Sequence, residues 1–187
     1  MSKITFNDKS YINENADIPE VNKITDANIN EIKSVVNDNY DEHTDAIALI
    51  SNCIMAQPST SKTLSTTNYE KVPLETATTV GTKLTLDNVN KCVSVGAGVS
   101  KVMISGNILF STGGTSSTRR GLSLYKNGTQ IMYNSIKGDT TYTGCSIAPY
   151  IIDVQENDTL ELWAINQGAT GSVIANSGTW LTVRVVQ

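Results

Sequence analysis

The sequence predicts a mainly β protein: a β-sandwich head carried on an N-terminal α-helical stalk. Three observations carry that expectation. Apolar residues recur with helical spacing across residues 26–54, and from about residue 69 to the end they alternate as they do in strands. A Ser/Thr-rich stretch, residues 57–68, separates the two patterns. The 187 residues therefore divide into an N-terminal segment (1–25), a stalk (26–56), a neck (57–68) and a head (69–187). A head of that size can bury a core of its own.

Residues 1–25 are polar, with Lys3-Ile4-Thr5-Phe6 as one short candidate strand. The Ile18-Pro19 step disfavours helix before it. This segment either docks on a partner or stays partly disordered.

Thr25 or Asp26 supplies a helix N-cap, and Gln57-Pro58 stops the helix after about Met55. A seven-residue repeat places Ile29, Val36, His43 and Ile50 at one seam position and Ile32, Asn39, Ala46 and Cys53 at the other. So narrow a stripe cannot be buried by a lone helix. It packs on copies of itself or on a globular body. Ile29 and Ile32 at the two seam positions favour three or more strands over two. Asn39 and His43 form polar layers that cost stability and fix register. In a three-fold bundle the Asn39 side chains would meet on the axis and could hold water or an anion. The alternative is a break near Asn37-Asp38-Asn39 that gives two shorter helices. The Ser/Thr-rich neck is too short for a long tether.

The head shows about ten candidate strands: 72–74, 83–86, 92–95, 101–110, 122–126, 130–134, 145–154, 159–165, 172–174 and 180–186. Turn signals separate them, and Lys126-Asn127-Gly128-Thr129 is the strongest hairpin signal. Many short strands without helices between them mean a sandwich, barrel or jelly roll. If leucines and β-branched residues fill the interior, Met103, Tyr125 and Trp163 fall on an outer face. Burial in an oligomer would explain such a patch, as would a covering loop or a ligand platform.

Composition narrows the function. Charged residues are 17% and the net charge is −4, so a nucleic-acid partner is not expected. The start of the chain lacks a secretory h-region, and no apolar run is long enough for membrane insertion. Three cysteines, Cys53, Cys92 and Cys145, lack metal spacing and read as reduced thiols. The one histidine, His43, lies on the helix, away from any nucleophile in the β block, so no catalytic residue is assigned and no enzyme is expected. Asp87, Asp139, Asp153, Glu156, Asp158 and Glu161 sit mostly at turn signals and read as solvated turns. No metal or cofactor is expected. Recognition chemistry fits better. The loop 111–120 brings Arg119 and Arg120, a second loop brings Tyr142, and Asn166 and Gln167 follow Trp163. Aromatic faces, amides and guanidinium groups suit sugars or anionic polymers. The bland alternative is ordinary solvated loops.

The order of several phrases carries a resemblance. Val93-Ser94-Val95-Gly96-Ala97-Gly98-Val99-Ser100-Lys101-Val102 comes first, then Gly121-Leu122-Ser123-Leu124-Tyr125-Lys126-Asn127-Gly128. Next comes Ile151-Ile152-Asp153-Val154-Gln155-Glu156-Asn157-Asp158-Thr159-Leu160-Glu161-Leu162, and Leu181-Thr182-Val183-Arg184-Val185 closes the series. Together they resemble C1q/TNF-like jelly-roll heads, in particular those on fibres of phages of Gram-positive bacteria. Residues 22–32 resemble a helix-start phrase of structural proteins of such phages. The resemblance implies a homotrimer in the virion, attached through its N-terminus to another virion protein and adhering to a host cell-surface polysaccharide. Members of that family often cluster acids for calcium; Asp153, Glu156 and Asp158 are the nearest here and fit a polar turn better. Two other classes of function stand beside adhesion: a decoration fibre that binds no ligand, and a glycan-degrading spike.

Overall fold

A computed structural model describes residues 26–111, 119–138, 142–167, 171–173 and 178–187. The attachment segment expected at 1–25 lies outside them. Two compact units divide at Ala48/Leu49: the helical part and the head.

The helix α1 spans Asp26–Ile50 without a break, so Asn37-Asp38-Asn39 does not interrupt it. Along it Ile29, Ile32, Val35, Val36 and Ile47 are exposed in the single chain, Ile32 by 62%. Asn39 and His43 are exposed as well. The side chain of Ile50 lies outside the described residues. The expected stalk to residue 56 is too long by six positions. Cys53–Gln57 is a strand, β1, and the reason is its partners. Its alternation buries Ile54 and Ala56 against the head core, and its two edges pair with other strands. The expected neck is likewise part of the head, since Lys62–Leu64 forms a strand, β2.

Eleven further strands follow among the described residues: β3 (Glu70–Lys71), β4 (Thr76–Val80), β5 (Leu84–Asp87), β6 (Cys92–Val95), β7 (Lys101–Phe110), β8 (Arg119–Lys126), β9 (Thr129–Lys137), β10 (Thr143–Asp153), β11 (Thr159–Gln167), β12 (Gly171–Val173) and β13 (Trp180–Val185). They build two antiparallel sheets. The first, of seven strands, runs β2-β12-β7-β13-β1-β4, with β10 on β7; the second, of six, runs β5-β6-β11-β8-β9, with β3 on β11. The expected strand at 72–74 is not one. Val72 and Leu74 are nonetheless fully buried, and Val72 N donates to Leu162 O at 2.8 Å.

The sandwich interior follows the pleat. Val102, Ile104, Ile108, Phe110, Leu181, Val183 and Val185 face inward from the first sheet. Leu84, Val93, Leu122, Leu124, Leu160, Leu162 and Ala164 meet them from the second. Cys92 and Cys145 are buried free thiols, and burial pushes both thiols up, keeping them protonated and inert.

The β8–β9 hairpin turns at Asn127-Gly128, where φ is +52° and +73°, the left-handed pair that suits a two-residue hairpin. Asp158 fixes this turn to the next. Its carboxylate accepts hydrogen bonds from Asn127 Nδ2 at 2.6 Å and Gln155 N at 2.8 Å, and it pairs with Lys126 Nζ at 3.2 Å. Burial alone would push this carboxyl up. The donors outweigh burial and hold it below the ordinary carboxylate range. A depressed folded-state value contributes stability above the unfolded pKa, and that contribution fades as pH falls through the folded one. Asp158→Ala is therefore expected to cost roughly 2 kcal/mol at neutral pH in denaturant unfolding. Its deficit against the native chain should shrink steadily below the ordinary carboxylate range.

Candidate functional site

The outer face of the second sheet is set by the register of three strands. Along β8 the outward positions are Arg119, Gly121, Ser123 and Tyr125. Across β9 they lie opposite Lys137, Ser135, Tyr133 and Gln130. Across β11 they lie opposite Gln167, Ile165, Trp163 and Glu161. A register shift between Leu124 and Tyr125 swings Gln130 towards Ser123, and Gln130 Nε2 donates to Ser123 Oγ at 2.7 Å. Ser123 Oγ in turn donates to Met132 O at 2.8 Å, so this fully buried hydroxyl is satisfied.

Two features mark this face. The first is an aromatic wall. Tyr125 and Trp163 stack with centroids 4.5 Å apart and planes 20° from parallel. Trp163 Nε1 donates to Glu161 Oε2 at 2.7 Å, while Lys71 Nζ holds Glu161 Oε1 at 2.9 Å. The second is Tyr69, which lies across Gly121. A Cβ there would fall 2.5 Å from the Tyr69 hydroxyl oxygen and 2.8 Å from Ile165 Cγ2, so only glycine leaves the phenol its place. Burial pushes the Tyr69 phenol up, and the nearby Arg119 charge opposes that in part.

An open cleft, about 290 Å³, is lined by Tyr69, Arg119, Gln130, Tyr133, Ile165 and Gln167. It offers aromatic faces, two amides and a guanidinium, with no carboxylate, histidine or cysteine among those residues. That is an equipment for binding: apolar contact, donors and acceptors, and one fixed positive charge. Among the described residues no group of three or more His, Cys, Asp or Glu side chains could hold a metal ion.

Of the residues singled out from sequence, Arg119 and Gln167 are in the cleft, opposite one another across β8 and β11. Their neighbours Arg120 and Asn166 are not. Both are fully buried on the inner side of the sheet, because adjacent strand residues point to opposite faces. Arg120 sits over the Phe110 ring at 5.6 Å and donates from Nη2 to Ser111 O at 3.0 Å. Tyr142 is 62% exposed and does not line the cleft. Met103 is not on a face with Tyr125 and Trp163 either; it belongs to the first sheet. Tyr125 and Trp163 do share a face, and both are half-buried in the single chain. Sequence reasoning missed Tyr69, Gln130, Tyr133 and Ile165.

No family model and no curated protein matches the sequence. Solved structures do match in fold. Murine APRIL superposes with a TM-score of 0.57 at 13% identity, over 72% of this chain and 98% of its own. Eiger TNF from S. frugiperda gives 0.53 at 9%, over 73% and 91%. The PRD1 vertex protein P5 gives 0.53 at 13%, over 74% and 99%. The head is thus a TNF-like jelly roll, as the sequence resemblance implied.

Gly121→Ala is expected to drive Tyr69 off the sheet. The Tyr69 phenol should then titrate nearer its ordinary value, followed by NMR. Unfolding should show a loss of about 1–3 kcal/mol from overpacking.

Proposed function

We propose that this chain is a homotrimeric virion fibre protein, not an enzyme, whose head adheres to a host cell-surface glycan. One observation carries the reading: the two outer faces of the sandwich differ in chemistry. The outer face of the first sheet carries several exposed apolar side chains around Arg184. One row across it reads Ile151, Met103, Arg184, Cys53, Val80. The next places Met55 opposite Thr182 and Thr78. Ile151 is 57% exposed, Val80 52% and Met55 39%. A face of this kind calls for cover, and a closed symmetric assembly of identical chains supplies it without leaving an open edge. The second sheet's face, in contrast, has its aromatic wall locked within one chain and an open cleft beside it.

The stalk supports the same reading. Exposed Ile29, Ile32 and Val36 on one continuous helix require a partner, and the seam residues favour a three-stranded coiled coil, with Asn39 and His43 as its register layers. In this reading Ile50 closes the seam, and residues 1–25 attach the fibre to another virion protein. The fold shared with the PRD1 vertex protein P5 supports a place in a virion. Among the described residues no helix is long and apolar enough to cross a membrane. Three weak clefts on one particle would gain avidity by effective concentration.

Sedimentation at micromolar concentration should return three times the chain mass. Met55→Lys combined with Ile151→Lys should dissociate the head trimer while its circular-dichroism strand signal persists. A chain that remains monomeric would remove the basis of this reading.

A further inference from the structure

We propose that the cleft takes an anionic saccharide, with Arg119 holding the acidic group and the tyrosines receiving a sugar ring. This rests on the glycan reading above and narrows it to a charge class. The first ground is where charge is left over. Five lysines of the head are answered by carboxylates: Lys62 by Glu70, Lys71 by Glu161, Lys91 by Glu75, Lys101 by Asp153 and Lys126 by Asp158; Lys83 donates to Ala97 O instead, and Arg184 lies on the other sheet, away from the cleft. Arg119 and Lys137 lie directly opposite one another across β8 and β9, and among the described residues neither pairs with a carboxylate. A chain of net charge −4 therefore concentrates two unanswered cations at one end of a cleft that has no acid in its lining.

The second ground is pre-orientation. Arg119 Nε donates to Ser135 Oγ at 2.8 Å, which fixes the guanidinium plane and leaves its terminal nitrogens for a planar or tetrahedral oxyanion. Tyr133, 61% exposed, stands on the same face, and Gln167 lies opposite Arg119 in the cleft lining. The cleft is at the small end of ligand sites, which span ~300–1,000 Å³. That suits one acidic ring or a ring and its substituent. Two cations are too few to track a nucleic-acid backbone, which needs a basic stripe.

The test is calorimetric titration of the full chain. The ligands are a uronic-acid oligosaccharide, its carboxyl-reduced counterpart, a sugar-phosphate polymer, its dephosphorylated counterpart and a single-stranded DNA oligonucleotide. One or both acidic saccharides should bind about tenfold or more tightly than the neutral counterpart, and added salt should shrink the difference. Which acid wins identifies carboxylate or phosphate. Arg119→Gln should abolish the preference, bringing the acidic form down to the affinity of its neutral counterpart. Lys137→Gln should reduce it less, and Tyr133→Ala should weaken acidic and neutral forms alike. Equal binding of acidic and neutral forms overturns the proposal and leaves glycan adhesion standing. Binding of no saccharide overturns both. Tighter binding of the DNA than of any saccharide overturns the assignment to sugars.

Discussion

The strand pleat is the constraint on which the rest of this head depends. Side chains alternate across each strand, so filling the interior with aliphatic residues dictates what remains outside. In β11, burying Leu160, Leu162 and Ala164 leaves Glu161, Trp163 and Ile165 on the other face. In β7, burying Val102 and Ile104 leaves Met103 out. A slip of one residue in β11 would put a carboxylate and an indole into the core and empty the outer face of its chemistry. The cleft is therefore held in register by the same packing that stabilises the fold.

Much of the head was legible because alternation and turn chemistry are local. Cys92–Val95 and Lys101–Phe110 begin and end where the pattern says, and Asn127-Gly128 makes the hairpin its dipeptide promises. Cys53–Gln57 was not legible. Cys53-Ile54-Met55-Ala56 satisfies a helical seam and a strand alternation equally, and only pairing with β13 and β4 decides between them. The helix loses there because its hydrogen bonds are local, whereas the strand gains two partners and buries Ile54 and Ala56. The site was half legible for a related reason. Arg119 and Arg120 were read as one basic pair, although a strand must send them to opposite faces. Tyr133 was within reach of the sequence: counting out from the Asn127-Gly128 turn sets it near Ser123, one face position from Gly121 and two from Arg119. Tyr69 was not. Nothing local says that a residue fifty positions away lies across Gly121.

Arg120 shows how far the interior tolerates charge. It is fully buried, with its guanidinium over Phe110 and one terminal nitrogen on the carbonyl of Ser111. A buried guanidinium persists only where stacking and hydrogen bonds replace its hydration. Its place is the start of β8, next to Arg119. The two arginines thus divide roles by parity, one tying the strand end to the chain at Ser111 and the other left at the surface.

The placement of the cleft on strands bears on how it would bind. Loops move, whereas a sheet face backed by a packed core holds its groups in position, so little ordering cost remains for a ligand to bear. In the proposed adhesive role, a shallow cleft with one charge and two tyrosines would gain by repetition. The short connection between the units matters here. Only Ser51 and Asn52 separate α1 from β1, and Asn52 is itself buried, its Oδ1 accepting from Lys83 N at 2.8 Å. In the proposed trimer the helix and the head would have to share one three-fold symmetry, because both belong to the same three chains.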